Sequence, residues 1–239
     1  MRLDFLGVGF GRTGSNWLCN CLIEHPEISI PKFNLHTEIN YFPEEYKVMG
    51  LGNYIKKFKD CDFKKLVGEL STMIILHKNA AKLIKNLFPE VKIIIYQRSE
   101  EGRVNSVYNI KKYHDLLPIT KEDLVINQKE YIEPWIKEFG KEKVFIFNMD
   151  TKEKQREFNK LLNFLGVKEF VPSKINERTN TSYSDPIKKT PIQCRYPKTR
   201  KLINFLKDKM SKDKKMYYFM KRNLHLDYFY QEINHNMSS

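Results

Sequence analysis

The amino-acid sequence predicts an α/β fold of three layers, in which helices flank a parallel sheet. Short apolar runs alternate along the chain with longer segments whose apolar residues recur at helical spacing. This alternation is typical of parallel sheets. A glycine-rich turn joins the first apolar run to the first helical segment. With 239 residues, 41% of them hydrophobic, the chain is long enough to bury the core of one domain over 1–239.

Four apolar runs predict the strands of this sheet. The third run contains three consecutive isoleucines and is the clearest, because β-branched residues favour strands. The predicted strands are 3–8, 66–70, 91–96 and 144–148.

Six segments predict helices, and three of them end at residues that stop a helix. Pro26 follows the first helix, Pro89 follows the third, and Gly166 closes the last. Residues 27–52 are predicted to be irregular and suited to contact with a substrate. The predicted helices are 15–24, 53–59, 76–87, 101–113, 121–139 and 152–165.

The turn after the first strand contains Gly9, Gly11 and Gly14 and leads into the first helix. Such a turn exposes backbone N–H groups at a helix N-terminus, where a phosphate or another tetrahedral anion is stabilised. Glycine lets the backbone approach the anion closely, and the Ser15 hydroxyl can cap the helix or donate to an oxygen. The sequence therefore predicts an anion-binding loop, with a β-turn that binds no ligand as the alternative.

This loop departs from the triphosphate-binding loop of kinases and ATPases. Gly9 and Gly14 have the spacing of its two glycines, but Ser15 and Asn16 stand where Lys and Ser/Thr would contact phosphates and Mg²⁺. The basic residue lies instead inside the loop, at Arg12. The pattern indicates a nucleotide other than a magnesium-bound triphosphate. It weighs against a divergent P-loop kinase, which stays the alternative enzyme class.

A second pattern lies at the end of the third predicted strand, where Ser106 follows Arg98 by eight residues. Ligands of open α/β sheets bind at the carboxyl ends of strands. Arginine presents a planar fork that matches a phosphate, and a serine on the following helix can donate a hydroxyl to the same anion. Taken singly, each residue would be interpreted as a solvated surface residue. The two together, at this spacing after a strand, predict a phosphate site.

Residues 12–18, Arg-Thr-Gly-Ser-Asn-Trp-Leu, resemble the Arg/Lys-Ser-Gly-Thr-Thr-Trp-Leu signature of sulfotransferases that use 3′-phosphoadenosine 5′-phosphosulfate (PAPS). Residues 91–106 resemble the strand-loop-helix element of the same family. The resemblance implies a sulfotransferase fold, which is similar to that of the P-loop nucleoside-triphosphate hydrolases. Shorter likenesses follow in the family's order at 36–42, 67–71, 144–150, 164–166 and 180–182.

The resemblance also implies the ligand and the residues that bind it. PAPS would be the donor, and 3′-phosphoadenosine 5′-phosphate (PAP) would be the product. Arg98 and Ser106 would hold the 3′-phosphate, and Arg195, in a loosely similar basic segment, would be a further contact. The 5′-phosphosulfate end would contact the loop residues Arg12, Thr13, Gly14, Ser15, Asn16 and Trp17.

Sulfuryl transfer requires neutralisation of negative charge and, for a neutral hydroxyl acceptor, a base. We expect Arg12 to stabilise the sulfuryl oxygens and the leaving phosphate. Its role would be electrostatic, because a guanidinium does not readily donate a proton. By resemblance, Glu38 is the leading base. His36 is the second possibility, because an imidazole titrates near neutral pH. The transfer requires no metal ion, and none is expected.

The sequence does not identify the acceptor, which is expected to be a hydroxyl or amine on a small molecule or a glycan. No apolar run reaches the roughly 20 residues that cross a bilayer, so no transmembrane segment is expected. The four cysteines lack the spacing of a metal site or a disulfide framework, which favours the cytoplasm. The oligomeric state cannot be inferred from the sequence.

The net charge of +13 is concentrated near the C-terminus, in a segment predicted to be helical over 197–230. Three interpretations stay open: a packed surface helix with solvated lysines, attraction of an anionic donor or acceptor, and contact with a membrane or nucleic acid. Nucleic acid is not expected as a partner. A non-catalytic module that binds polyanions is the second alternative to the sulfotransferase.

Overall fold

The computed structural model of the protein describes residues 1–31, 38–113 and 120–176, with the backbone alone at 110–113. In this part of the chain five strands form one sheet: β1 (Phe5–Gly9), β2 (Ile28–Ser29), β3 (Leu66–Ser71), β4 (Lys92–Gln97) and β5 (Val144–Asn148). Their order is β2-β3-β1-β4-β5, and every neighbouring pair is parallel. The predicted parallel sheet is therefore confirmed.

Helices connect these strands and flank the sheet. The α-helices of the described residues are α1 (Ser15–Ile23), α2 (Glu44–Ile55), α3 (Ala80–Leu87), α4 (Glu100–Tyr113), α5 (Gln128–Phe139) and α6 (Lys154–Leu165). None of them is both long and apolar enough to span a membrane.

The central strands are continuous hydrophobic runs in the sequence because they are buried in the apolar core. All five residues of β1 are buried, as are Ile93, Ile94 and Ile95 of β4. A strand buried on both faces needs helices above and below the sheet. Helices α1 and α6 supply one apolar layer, and α5 packs against α3 and contacts β4 and β5.

The sheet belongs to a compact unit that contains residues 1–43 and 51–176 of the described chain. Residues 44–50, in the first part of α2, are grouped separately, and there Lys47 pairs with Glu44 at 3.0 Å. The single domain over 1–239 stays a prediction. The basic segment 197–230 lies outside the described residues.

Three sequence predictions about individual elements are wrong. The segment 27–52, predicted to be irregular, contains β2 and most of α2. The helix predicted at 76–87 begins only at Ala80, after a 3₁₀ turn at Ile74–Leu76. The helix predicted at 121–139 is divided into a 3₁₀ turn at Glu122–Leu124 and α5. It is interrupted where the N–H of Ile126 donates to the Glu100 carboxylate at 2.8 Å, a contact between distant parts of the chain.

Candidate functional site

A cleft of about 840 Å³ lies where the loops after β1, β4 and β5 meet, at the carboxyl edge of the sheet. The described residues that line it include four basic side chains and one carboxylate: Arg12, Arg98, Lys152, Lys154 and Asp150. This balance makes the cleft electropositive and suited to an anionic ligand. Its volume lies within the range of small-molecule sites, about 300–1,000 Å³.

The glycine loop forms one wall of this cleft, and its backbone is unusual at two positions. Gly14 precedes α1 with φ of 86°, in the left-handed region that glycine adopts without strain. A Cβ at this position would also lie 2.4 Å from the methyl carbon of Met149. Arg12 has φ of 71°, which is uncommon for a residue with a side chain. The loop thus holds Arg12 in a backbone conformation that an arginine rarely adopts.

Arg12 and Ser106 were predicted to contact opposite ends of a nucleotide, and the fold brings them together. The Arg12 Nε donates to the Ser106 hydroxyl at 3.2 Å, although 94 residues separate them. Both side chains line the cleft. One anion can therefore reach donors from the glycine loop and from α4 at the same time.

Arg98 follows β4 and is fixed by Asp150, which follows β5. The Arg98 Nε donates to Asp150 Oδ1 at 3.1 Å, and the Ser99 N–H donates to Asp150 Oδ2 at 2.7 Å. The backbone carbonyl of Arg98 accepts from Gln128 Nε2 at 3.0 Å. Within the described residues, the terminal amino groups of Arg98 make no hydrogen bond. Arg98 is therefore held along its Nε edge, and its other donors are left for a ligand.

The Asp150 carboxylate is charged despite its position in the cleft wall. Partial burial by itself would raise the pKa of Asp150, but the hydrogen bonds from Ser99 and Arg98 outweigh it and lower that pKa below its usual value. A carboxylate held between these donors orients Arg98, although it also adds one negative charge to the electropositive cleft.

Glu38 contacts the glycine loop from the side of β3. It forms an isolated parallel bridge with Leu70, and its carboxylate accepts a hydrogen bond from the Ser15 hydroxyl. Its other oxygen accepts from Thr72 Oγ1 at 2.5 Å and from Asn40 Nδ2 at 3.0 Å. The sequence allowed the Ser15 hydroxyl either to cap α1 or to donate to an oxygen. It donates to the Glu38 carboxylate, and no side-chain cap is formed on α1.

Glu69 is a second carboxylate behind Glu38, and it is only 1% exposed. It accepts from Ser71 at 2.8 Å and from Tyr54 at 3.2 Å. Burial raises the pKa of Glu69 to about 7, despite these hydrogen bonds, and the Glu38 charge adds to the rise. From the sequence alone, Glu69 could bind an acceptor, orient Arg12 or be an ordinary strand-end carboxylate. Its burial and its partners favour a role inside the fold.

The free energy of unfolding should fall as the pH rises from about 4.5 to about 7, and Glu69 should cause this fall. Unfolded Glu69 titrates near 4.5 and folded Glu69 near 7, so the folded state binds the extra proton between these values. This stability is complete below pH 4.5 and is lost as the pH rises through 7. Urea denaturation of the wild type and of Glu69→Gln across this range would measure it. A constant difference between the two proteins at every pH would contradict the prediction.

The remaining predicted site residues have different surroundings. Thr13 is fully buried and its hydroxyl donates to the Phe10 carbonyl at 2.5 Å, so its side chain supports the loop from inside. Asn16 is the second residue of α1. Trp17 lines the cleft, and its Nε1 donates to the Lys174 carbonyl at 3.2 Å. His36 and Arg195 lie outside the described residues.

Three charged residues of the cleft, Asp150, Lys152 and Lys154, were not among the site residues predicted from the sequence. Asp150 follows the end of a strand, which is the same signal that identified Arg98, so it could have been found by the same rule. Lys154 lies in a lysine-rich segment without any motif, and only its neighbours in the fold distinguish it.

The fold is that of the sulfotransferases. A sulfotransferase from Alicyclobacillus acidocaldarius matches with a TM-score of 0.59 and 20% identity, over 76% of this chain and 88% of that one. The sulfotransferase domain of the curacin biosynthetic pathway matches with a TM-score of 0.55 and 16% identity, over 75% and 80%. The sulfotransferase domain of the Synechococcus PCC 7002 olefin synthase matches with a TM-score of 0.52 and 12% identity, over 78% of this chain and 86% of that one. No family model and no curated protein sequence matches the chain.

These likenesses confirm the predicted fold class, a parallel sheet flanked by helices in the P-loop-like arrangement of sulfotransferases. At identities of 20% and below they concern the fold alone.

Proposed function

We propose that this protein transfers a sulfuryl group from PAPS to a hydroxyl or amine acceptor, on a small molecule or a glycan. The observation that carries the proposal is the meeting of Arg12, Arg98 and Ser106 in one electropositive cleft beside the glycine loop. The sulfotransferase fold supports it.

The residues of the cleft fit the donor that we propose. A nucleotide with phosphate groups at both ends requires two groups of donors and a cleft of several hundred Å³. Arg98 and Ser106 offer a guanidinium and a hydroxyl for the 3′-phosphate, and the backbone N–H groups of residues 13–16 offer donors for the 5′-phosphate. Trp17 adds an aromatic surface to the wall of the cleft.

Bound PAPS would supply an activated sulfuryl group and a phosphate leaving group. The protein's own contribution would be to position these groups and to neutralise charge in a site prepared before the reaction. Arg12 would stabilise negative charge on the sulfuryl oxygens and the leaving phosphate. Its hydrogen bond to Ser106 and its fixed backbone reduce the reorganisation that this role requires.

Glu38 is the base in this proposal, and its surroundings support it. A carboxylate offers about four acceptor positions, of which three are used by Ser15, Thr72 and Asn40. One position is thus left for the proton of an acceptor hydroxyl. The three donors also fix the carboxylate next to the glycine loop, which a base in this reaction requires. His36, the second possibility for the base, stays a prediction.

Replacing Glu38 with glutamine should slow sulfuryl transfer about a hundredfold, because the proton acceptor is lost while the shape is kept. The affinity for PAP should change less than about threefold. The rate is measured as transfer of ³⁵S from labelled PAPS to a panel of hydroxyl and amine acceptors. Glu90→Gln, at an exposed carboxylate, is the matched control. Unchanged transfer in Glu38→Gln would exclude Glu38 as the base.

Calorimetric titration with PAP, AMP and ATP with Mg²⁺ tests the proposed function itself. We expect micromolar or tighter binding of PAP that is indifferent to Mg²⁺, and weaker binding of AMP, which lacks the 3′-phosphate. Absence of PAP binding, or a preference for ATP with Mg²⁺, would overturn the proposal and favour the kinase alternative.

A further inference from the structure

The connection between β5 and α6 brings a lysine to the wall of the cleft. Lys154 is the first residue of α6, and its Nζ donates to the Met149 carbonyl. The same ammonium lies 5.2 Å from the centroid of the Trp17 ring. The Met149 side chain reaches the glycine loop, since its methyl carbon is the atom that a Cβ at Gly14 would meet. Lys154 therefore lies next to the start of α1, although its sequence position is remote from it.

The surroundings of Lys154 differ from those of a solvated surface lysine. The side chain is half-buried, and burial lowers the pKa of Lys154, while the Asp150 charge opposes this effect and the Arg98 charge adds to it. An ammonium group has three N–H donors. Within the described part of the chain, Lys154 uses one of them in a hydrogen bond, to Met149. A half-buried cation with unused donors at the wall of an electropositive cleft is suited to a bound anion.

The glycine loop gives this lysine a role. The loop lacks the lysine that a triphosphate-binding loop carries, and its own basic residue, Arg12, is hydrogen-bonded to Ser106 on α4. Lys154 approaches the junction of the loop and α1 from α6, on the side where Met149 and Trp17 lie.

We propose that Lys154 binds a phosphate group of the donor nucleotide and so supplies from α6 the ammonium that the glycine loop lacks. This inference rests on the proposed function, because it requires an adenine nucleotide in the cleft. It assigns Lys154 a direct contact with a phosphate, whereas a lysine that only packs on Trp17 would affect the binding of every adenine nucleotide alike.

Three ligands separate these two roles: PAP, AMP and adenosine 3′-monophosphate, each titrated calorimetrically into the wild type and Lys154→Met. Methionine keeps much of the length and the apolar contact with Trp17 but removes the charge. We expect Lys154→Met to weaken PAP binding about 10- to 100-fold, the range for a hydrogen bond to a charged group. We also expect a comparable loss for AMP, whose 5′-phosphate the glycine loop would bind, and less than about threefold for adenosine 3′-monophosphate. A loss confined to PAP and adenosine 3′-monophosphate would overturn the inference, because it would mean that Lys154 acts on the 3′-phosphate and not beside the glycine loop.

Lys160→Met is the matched control, because Lys160 lies on the same helix and pairs with Glu157 at 3.0 Å. It removes the same charge and should change each affinity less than about twofold. Lys154→Arg, which keeps the charge, should recover most of the PAP affinity. Equal losses for all three ligands in Lys154→Met would overturn the inference in favour of a packing role, and so would unchanged affinities. If the wild type itself does not bind PAP, the proposed function fails as well.

Discussion

Replacing Arg98 with alanine should weaken PAP binding about a thousandfold, to the level of AMP, while AMP binding changes less than about threefold. The terminal amino groups of Arg98 can form two charge-assisted hydrogen bonds to the 3′-phosphate, each of roughly 1.5–3 kcal/mol. A loss near 4 kcal/mol corresponds to about a thousandfold in affinity. The effect should be large because the side chain is already positioned by Asp150 along its Nε edge. Isothermal titration calorimetry with both nucleotides measures it.

Two further variants make this result specific. Arg156→Ala removes an exposed arginine that pairs with Glu153 at 2.9 Å, and it should leave both affinities unchanged. Arg98→Lys keeps the charge but loses the planar fork, so it should recover only part of the PAP affinity. An equal loss of PAP and AMP binding in Arg98→Ala would mean that Arg98 does not contact the 3′-phosphate.

Replacing Gly9 with alanine should lower the free energy of unfolding by about 3 kcal/mol or more, since it overpacks a rigid part of the core. Gly9 is paired with Tyr96 across β1 and β4. A Cβ at Gly9 would lie 2.2 Å and 2.3 Å from two ring carbons of Tyr96 and 2.8 Å from its backbone oxygen. The Tyr96 ring is fully buried, so it has no space into which to move. Chemical denaturation measures the loss.

Gly11→Ala is the matched control for Gly9→Ala. The nearest described atom to a Cβ at Gly11 is the Met73 sulfur, at 3.9 Å, which is ordinary contact. We expect this variant to change the free energy of unfolding by less than about 1 kcal/mol. Similar stabilities for the two variants would show that Gly9 is not required by Tyr96. From the sequence, both glycines would allow an anion to approach the backbone, whereas the geometry gives Gly9 a packing role in the sheet.

The sequence predicted well those elements that depend on local composition. The β-branched run at β4 and the stop at Gly166 after α6 lie close to their predicted positions. It failed where an element depends on a distant partner. Strand β2 has only two residues, and pairing with β3 defines it. Likewise, the break before α5 depends on Glu100, which accepts the N–H of Ile126 from a different helix.

The fold class could be predicted from the sequence alone, and the structure confirms it; the anion-binding role of the glycine loop and the phosphate contact of Arg98 were also predicted from the sequence and stay predictions. These features depend on turn conformation, strand hydrophobicity and the rule that ligands bind at strand ends, all of which are encoded within a few neighbouring residues. The sequence does not tell which side chains meet, because that depends on the tertiary fold. Asp150 contacts Arg98 across 52 residues, and Thr72 contacts Glu38 across 34. The first contact follows from the order of the strands, because the adjacent strands β4 and β5 bring their carboxyl ends together. The second follows from the isolated bridge that Glu38 forms with Leu70 of β3.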